Sequence, residues 1–163
     1  MANCKSQIEN KIKAEKKIKK IVATLKKEGK KVAFTNGCFD ILHYGHIKYL
    51  QDARRLADVL VVGLNSDSSV RKIKGNSRPI NKQADRAKVL SALCAVDYVT
   101  LFEEETPLKL IKLLRPDVLI KGGDWRPERI VGADFVKTGG GRVVTMPYLK
   151  GYSTTELLKK IKR

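Results

Sequence analysis

This sequence of 163 residues is poor in cysteine, histidine and aromatic side chains. Its three cysteines, Cys4, Cys38 and Cys94, are an odd number without the paired spacing of a metal site, which argues against a disulfide framework and favours reduced thiols in a cytoplasm. The longest apolar runs, such as 59–62, fall far short of the roughly 20 residues that span a bilayer. The N-terminus has neither the continuous apolar core nor the small-residue cleavage site of an export signal. These absences predict a soluble, cytoplasmic protein without a membrane span.

Acidic residues are also scarce, since 17 of them face 34 lysines and arginines and leave a net charge of +17. Such an excess suits a partner that carries many phosphates, including nucleic acid. However, residues 1–31 hold eleven lysines against three glutamates, and the remaining 23 basic and 14 acidic residues are spread over the rest of the chain. Aromatic residues for base stacking make up only 6% of the chain. The composition therefore favours a basic surface and a site for small polyanions over a nucleic-acid-binding module.

Apolar periodicity predicts an amphipathic helix over residues 5–28, closed by Gly29, followed by alternating strands and helices. The predicted strands are 32–35, 59–64, 98–101, 118–120 and 143–146, and the predicted helices are about 45–56, 82–93, 107–114, 128–136 and 154–161. This alternation is typical of a Rossmann-like, doubly wound α/β fold with a parallel sheet of about five strands. We therefore expect an N-terminal helix over 1–29 and an α/β domain over 30–163. Ligands of such sheets bind beyond the carboxyl ends of the strands, where the strand order reverses.

The turn after the first predicted strand, residues 35–46, contains the only two histidines of the chain together with two glycines. His43 and His46 are three residues apart, which places them on one side of a first helical turn, and Gly45 lacks the Cβ that could keep a ligand from the backbone. A helix N-terminus offers unbonded N–H donors and a positive dipole end, so this turn suits a phosphate. Two alternatives stay open. The histidines could bind a metal, although no further ligands stand at a recognisable spacing, or they could be ordinary core or surface residues.

The segment His43-Tyr44-Gly45-His46 resembles the HxGH motif of the nucleotidyltransferase superfamily, and Gly37-Cys38-Phe39-Asp40 is similar to the G-x-F-D turn that precedes that motif. Residues 71–79, 121–125 and 151–155 resemble the corresponding segments of one branch of this superfamily, the adenylyltransferase domain of ADP-heptose synthases. The resemblance covers about residues 30–163 and identifies them as a nucleotidyltransferase domain. These enzymes usually carry a sugar-kinase domain ahead of it, whereas this sequence has only the predicted N-terminal helix there. We therefore expect a stand-alone form.

The resemblance implies transfer of an adenylyl group from ATP to a sugar 1-phosphate, most closely a heptose 1-phosphate. Such an acceptor is already largely dianionic at neutral pH, because the second pKa of a phosphate monoester is about 6. The reaction then requires alignment and charge stabilisation rather than a general base. Mg²⁺ is expected to be held through the phosphates and water instead of a dedicated protein cage. A homodimer is expected because family members commonly pair and because the apolar stripe of the first helix needs a covering surface.

By resemblance, each site residue has an expected role, and for several a structural alternative stays open. The expected catalytic residues are His43, His46 and Lys48; the nucleotide is expected at Asn36, Gly37, Cys38, Phe39, Gly45, Gly122, Asp124, Tyr152, Ser153, Thr154 and Thr155; and the sugar phosphate is expected at Asp40, Lys74, Arg78 and Arg86. The segment 65–81 has few apolar residues and is predicted to be mobile and to close over the site. The alternatives are a turn-stabilising role for Asp40, a capping box at Ser153 and Glu156, a glycine turn with a capping aspartate at 122–124, and surface charges for the lysines and arginines.

Two other functions stay open at this point. A cytidylyltransferase acting on glycerol 3-phosphate or a similar alcohol phosphate would share the fold and the mechanism. Its counterpart of residues 121–124 places two acidic residues after a single glycine, whereas this chain has Lys-Gly-Gly-Asp there. A non-catalytic module that binds nucleic acid would explain the net charge but not the histidine turn. Residues 74–79 and 121–124 therefore favour ATP with a heptose 1-phosphate.

Overall fold

The computed structural model describes residues 4–123, 126, 129–147, 149 and 151–161. This part of the chain forms the strands β1 (Val32–Gly37), β2 (Val59–Asn65), β3 (Tyr98–Phe102), β4 (Val118–Gly122) and β5 (Arg142–Met146). Its helices are α1 (Cys4–Lys11), α2 (Glu15–Lys27), α3 (Tyr44–Arg54), α4 (Asp67–Lys74), α5 (Gln83–Ser91), α6 (Leu108–Leu114), α7 (Ala133–Thr138) and α8 (Thr154–Ile161). None of these described helices is long and apolar enough to cross a membrane.

All strand pairs are parallel, and the order across the sheet is β3-β2-β1-β4-β5. From β1 the chain adds β2 and then β3 on one side, after which β4 returns to the other side of β1. The strand order therefore reverses between β1 and β4. The carboxyl ends of these two strands form the crevice in which ligands of doubly wound sheets bind. The predicted Rossmann-like parallel sheet of five strands is confirmed.

Helices cover both faces of the sheet, because successive side chains of a strand point to opposite sides. On one face, Phe34 of β1 packs in a core cluster with Ile18 of α2 and Ile111 of α6. On the other face, a second cluster contains Leu50 of α3 and Leu90 of α5. Every residue of β2 is buried. The continuous apolar run in its sequence, without polar alternation, is what a central parallel strand requires.

The single N-terminal helix predicted over 5–28 is wrong in one respect, because the chain forms two helices with an extended break between them. At the break, Ile12 forms an isolated parallel bridge with Val99 of β3, and the N–H of Lys13 donates to the Val99 carbonyl at 2.9 Å. β3 is an edge strand, so this bridge pairs backbone groups that would otherwise face solvent. Helical periodicity cannot reveal such a break, since its cause lies far along the chain.

The apolar stripe of α2 is covered within the chain. Ile18 and Val22 are 0% and 2% exposed, and α2 packs against α6 and the sheet. The prediction of a homodimer relied partly on this stripe needing a partner surface. That physical reason is removed, because the stripe is already part of the core.

The segment 65–81 is predicted to be mobile, but it contains the short helix α4. This helix is not among those predicted from the sequence. Ser66 caps this helix, since its hydroxyl accepts a hydrogen bond from the Ser69 N–H at 3.2 Å. Ser69 and Val70, on the inner side of this helix, are fully buried. One apolar anchor in an otherwise polar and basic stretch is too weak a pattern to predict a helix.

We predict that Ile18→Ala lowers the free energy of unfolding by about 2–5 kcal/mol, because it removes most of a fully buried side chain and leaves a cavity. Lys20→Ala, on the exposed side of the same helix, should change it by less than about 0.5 kcal/mol. Urea unfolding of both variants measures the difference. An unchanged midpoint for Ile18→Ala would mean that α2 is not part of the folded core in solution.

Candidate active site

The N-terminus of α3 lies at the sheet edge where the strand order reverses. β1 ends at Gly37, and after a short turn His43 is the residue that precedes the helix. The backbone of His43 is extended, its carbonyl accepts from the His46 N–H at 2.9 Å, and its side chain makes no capping hydrogen bond. No side-chain cap therefore satisfies the first N–H groups of α3, which leaves this helix N-terminus suited to an anion.

The two histidines form a stacked pair. Their ring centroids are 3.9 Å apart with 23° between the planes, and the ring of Phe39 meets His46 edge-on at 5.3 Å. The Nδ1 atoms of His43 and His46 are buried and have no hydrogen-bond partner among the described residues. Buried polar atoms are nearly always bonded in folded proteins, so two unpaired nitrogens in one stack mark a place prepared for a polar ligand.

The same burial sets the charge state of the pair. It lowers the pKa of His43, and for His46 burial, followed by the nearby charges of His43 and Lys74, lowers the pKa to about 4. Both imidazoles are neutral at pH 7, and each then carries one N–H donor. A bound phosphate would favour the protonated form of either ring and raise its pKa. The pair can therefore donate hydrogen bonds to phosphate oxygens and accept a proton as negative charge accumulates.

Gly45 allows close packing around it, a role that its predicted part in ligand access does not include. A Cβ at this position would lie 3.0 Å from the Cβ of Tyr152 and 3.1 Å from the ring of His43. Tyr152, which is 43% exposed, also meets the ring of Tyr44 at 5.5 Å. The absent Cβ thus admits the segment before α8 as well as the histidine ring, and so joins two motifs that are distant in sequence.

The segment before α8 reaches the histidine turn, but only part of it is described. Ser153 precedes α8 and its carbonyl accepts from the Leu157 N–H at 3.0 Å, while Thr154 is the first residue of the helix. This placement suits both the predicted phosphate contact and the capping alternative. Thr155 lies in the first turn of α8, and its side chain is outside the described part of the structure.

Asp40 is a buried anchor rather than an open carboxylate. It is 6% exposed and accepts hydrogen bonds from Arg78 Nη1 at 2.6 Å and from the N–H groups of Ile80 and Asn81 at 2.8 and 2.9 Å. Burial alone would raise the pKa of Asp40, but the hydrogen bonds from Asn81, Ile80 and Arg78 outweigh it and hold the pKa below its usual value. The carboxylate is ionised and already surrounded by donors. This favours the turn-stabilising alternative over a contact with the sugar.

Arg86 is likewise held by the protein. It is 2% exposed, and its guanidinium donates to the carbonyls of Cys38 and Asn81 at 2.6 and 3.0 Å and to Asp67 Oδ1 at 2.8 Å. These bonds connect α5, α4 and the turn that leads to the histidines. The prediction that Arg86 and Arg78 contact the sugar phosphate thus stays a prediction, and in this structure both guanidinium groups pair with buried or half-buried aspartates.

The two predicted lysines differ in their surroundings. Lys48 Nζ lies 2.5 Å from a carboxylate oxygen of Asp52, one helical turn away on α3. Lys74, at the end of α4, forms no ion pair among the described residues, and its charge helps to lower the pKa of His46. Lys74 is therefore an exposed cation within electrostatic reach of His46 and without a carboxylate partner among the described residues, whereas Lys48 must leave Asp52 to reach a phosphate.

The turn residues between β1 and α3 are tightly packed. A Cβ on Gly37 would lie 2.9 Å from the ring of Phe39, and Phe39 itself is 6% exposed with a left-handed backbone, φ 44°. Strained backbone of this kind persists where the surrounding structure enforces it, commonly at ligand sites. Burial also raises the pKa of the Cys38 thiol, which keeps it protonated. A nucleotide could meet these residues through their backbone groups but not through the buried ring of Phe39.

At the end of β4 lies Lys121, which is part of the segment 121–125 but has no role of its own among the residues predicted from the sequence. Lys121 is half-buried, and its Nζ donates to Asn36 Oδ1 across β1 and β4 at 3.4 Å. The signal that could have found it is a lysine directly after three buried apolar residues. Gly122 ends the strand, and the Gly123 N–H donates to the Met146 carbonyl at 2.8 Å. Asp124, predicted to bind the nucleotide, lies outside the described residues.

Comparisons with known proteins agree with this arrangement. A family model described as cytidylyltransferase-like matches residues 34–160. The bifunctional protein HldE of Syntrophotalea carbinolica is 50% identical over 161 residues, which cover 99% of this chain and 33% of that protein. HldE of Geobacter metallireducens is 54% identical over 143 residues, covering 88% of this chain and 29% of that protein. The chain thus spans about a third of the length of these relatives.

Two solved structures resemble the fold. The lipopolysaccharide core biosynthesis protein from Thermoplasma volcanium GSS1 aligns with a TM-score of 0.59 and 31% identity, over 77% of this chain and 100% of that one. Pantoate-beta-alanine ligase from Francisella tularensis aligns with a TM-score of 0.60 over 93% of this chain and 76% of that one, and at 17% identity it supports the fold alone. The sheet order and the histidine turn at its switch point define an α/β nucleotidyltransferase-like protein. The chain belongs to the cytidylyltransferase-like family.

We predict that acid weakens the fold through His46. Its folded pKa of about 4 lies below the 6.5 of an unperturbed histidine, so between these values the unfolded state binds a proton that the folded state does not. The contribution to stability is complete above pH 6.5 and is lost as the pH falls toward 4. Relative to His46→Gln, the wild type should lose about 1–3 kcal/mol of unfolding free energy over this range, measured by urea unfolding at several pH values. Parallel pH profiles for the two proteins would contradict the low pKa.

Proposed function

We propose that the chain transfers the adenylyl group of ATP to a heptose 1-phosphate, which releases pyrophosphate and forms an ADP-heptose. The observation that carries this proposal is the stacked pair His43 and His46, with two buried, unbonded Nδ1 atoms at the N-terminus of α3. The family match supports nucleotidyl transfer. About 50% identity to proteins named HldE, together with the heptose-enzyme resemblance of residues 71–79 and 121–125, supports the choice of acceptor and nucleotide.

The reaction forms one bond and breaks another at the α-phosphorus of ATP. An oxygen of the sugar 1-phosphate attacks, the bond from the α-phosphorus to the bridging oxygen breaks, and the electron pair leaves with pyrophosphate. Because the attacking phosphate is already anionic, the protein needs to align the two phosphates and stabilise the charge. Neutral imidazole donors and the first N–H groups of α3 supply that stabilisation.

The basic last turn of α4 offers a cation for the acceptor phosphate. Lys74 has no ion-pair partner among the described residues and its charge acts on His46, so we assign it to the sugar phosphate. Asp40, Arg78 and Arg86 support this arrangement indirectly, since they fix the segment that follows α4 against the histidine turn. Ser153 and Thr154 follow Tyr152 at the start of α8 and offer hydroxyls and N–H groups for the phosphates of ATP.

Mg²⁺ fits this site as an ion held by the substrates. The described residues contain no group of three or more histidine, cysteine or acidic side chains that could hold a metal. Asp40 is surrounded by Arg78, Ile80 and Asn81, and Asp67 pairs with Arg86, so neither carboxylate is open to an ion. When bound through the phosphates and water, the ion would neutralise charge on the triphosphate. The protein side chains contribute the orientation of those phosphates.

A second candidate is cytidylyl transfer to glycerol 3-phosphate or a similar alcohol phosphate, which the family description itself favours. The histidine pair would serve either nucleotide, because it contacts phosphates and not the base. We also infer a cytoplasmic location, because the three cysteines have neither the even number nor the paired spacing of a disulfide framework. A homodimer remains a prediction from the family alone.

We predict that His43→Ala and His46→Ala each lower kcat by about two to three orders of magnitude, because each removes a donor to the charged transition state. Pyrophosphate release measures the rate, and circular dichroism checks that each variant stays folded. A folded variant that turns over at nearly the wild-type rate would remove that histidine from the mechanism.

We predict that kcat/KM is highest for ATP with a heptose 1-phosphate among four pairs, namely ATP or CTP with heptose 1-phosphate or glycerol 3-phosphate. A pocket that reads a base through buried hydrogen bonds leaves a group unpaired with the wrong base, at a cost of several kcal/mol in the best cases. Pyrophosphate release with each pair provides the comparison. Faster turnover of CTP with glycerol 3-phosphate would replace the proposal by the second candidate.

A further inference from the structure

Lys121 stands at the switch point of the sheet with a charge that the described residues do not compensate. Its Nζ donates only a long hydrogen bond, 3.4 Å, to the amide oxygen of Asn36. Other half-buried or buried cations near the site have carboxylate partners, as Arg78 has in Asp40 and Arg86 has in Asp67. No described carboxylate lies within ion-pair distance of Lys121.

An ammonium group in this position is costly unless an anion joins it. Burial lowers the pKa of Lys121, and the one neighbouring group that opposes this shift is the thiol of Cys38. Burial also keeps that thiol protonated, so it provides no fixed negative charge. A buried cation without a partner is destabilising, and a replacement by an apolar side chain of similar length would be tolerated by the fold at least as well. A purely structural role therefore does not account for a lysine here.

The topology indicates which ligand would supply the anion. Lys121 ends β4 and lies beside Asn36 at the end of β1, the two strands between which the order reverses. β1 leads through Cys38 to the histidine turn, where the phosphates are expected, and β4 leads into Gly122 and Gly123, where the nucleoside is expected. Lys121 therefore lies between the turn expected to hold the phosphates and the turn expected to hold the nucleoside.

We propose that Lys121 is a phosphate-binding residue of the active site and contacts a phosphoryl oxygen of ATP or of the sugar 1-phosphate. The inference rests on the proposed function, since both ligands belong to that reaction. An ammonium is a compact point charge with three donors, which suits a phosphate whose oxygens change position during the reaction. The bond to Asn36 is long and therefore weak, so the ammonium can exchange it for this contact.

The first test is binding of each substrate by itself to Lys121→Met, Lys121→Arg and the control Lys88→Met, which removes an exposed lysine of α5. A charged hydrogen bond contributes about 1.5–3 kcal/mol, so Lys121→Met should weaken one ligand by about 10- to 100-fold in calorimetric titration. Loss for ATP assigns the lysine to the nucleotide, and loss for heptose 1-phosphate assigns it to the acceptor. Lys121→Arg should recover part of the affinity, and Lys88→Met should bind both ligands as the wild type does. Wild-type affinity of folded Lys121→Met for both ligands, with unchanged kcat, overturns the proposal.

The second test uses the unaltered protein and does not depend on the fold of a variant. Acylation of lysines by an N-hydroxysuccinimide ester, followed by peptide mass spectrometry, reports the accessibility of each amine. ATP or heptose 1-phosphate should slow the labelling of Lys121 at least several-fold and leave Lys88 unchanged. Equal labelling with and without saturating ligand overturns the proposal. If the wild type binds ATP with protection of Lys121 but releases no pyrophosphate with any heptose 1-phosphate, the proposed reaction fails while the phosphate contact stands.

Discussion

The geometry of the site depends on two buried charged residues that fix the turn between β1 and α3. Asp40 binds the backbone of residues 80 and 81, and Arg86 binds the carbonyl of Cys38 as well as Asp67 of α4. Through these contacts the histidine turn, α4 and α5 hold one another in place. The histidine stack could not keep two unbonded nitrogens buried on a loose turn, because water or a rotated ring would satisfy them.

The cations of this basic chain divide into two groups by their partners. Lys48, Arg54 and Arg86 each pair with an aspartate at 2.5–2.8 Å, within α3 for Lys48 and between different parts of the fold for Arg54 and Arg86. Lys74 and Lys121 have no such partner among the described residues, and both lie within electrostatic reach of Cys38 at the mouth of the crevice. A high net charge says little about where anions bind. The uncompensated cations beside the sheet edge are more informative, because a bound anion gains the most electrostatic stabilisation next to them.

The sequence was sufficient to predict the alternating fold and the position of the histidine turn at the switch point of the sheet, because both depend on local pattern and strand order. It could not reveal that Asp40 and Arg86 are buried anchors, since most of their partners are 38 or more residues away and Asp67 belongs to α4, a helix that the sequence does not predict. The break between α1 and α2 has the same origin in a distant edge strand. Gly45 was assigned to ligand access, yet its missing Cβ is needed by Tyr152, a contact that only the folded chain creates.

In the proposed reaction, the stacked imidazoles and the N-terminus of α3 hold the phosphates of ATP. The most direct test is a crystal structure with α,β-methylene-ATP, an analogue that binds without reacting at the α-phosphorus. We predict phosphate oxygens within about 3.2 Å of a nitrogen on each of His43 and His46 and of an N–H in the first turn of α3. A triphosphate bound elsewhere, with both Nδ1 atoms still unbonded, would contradict the account.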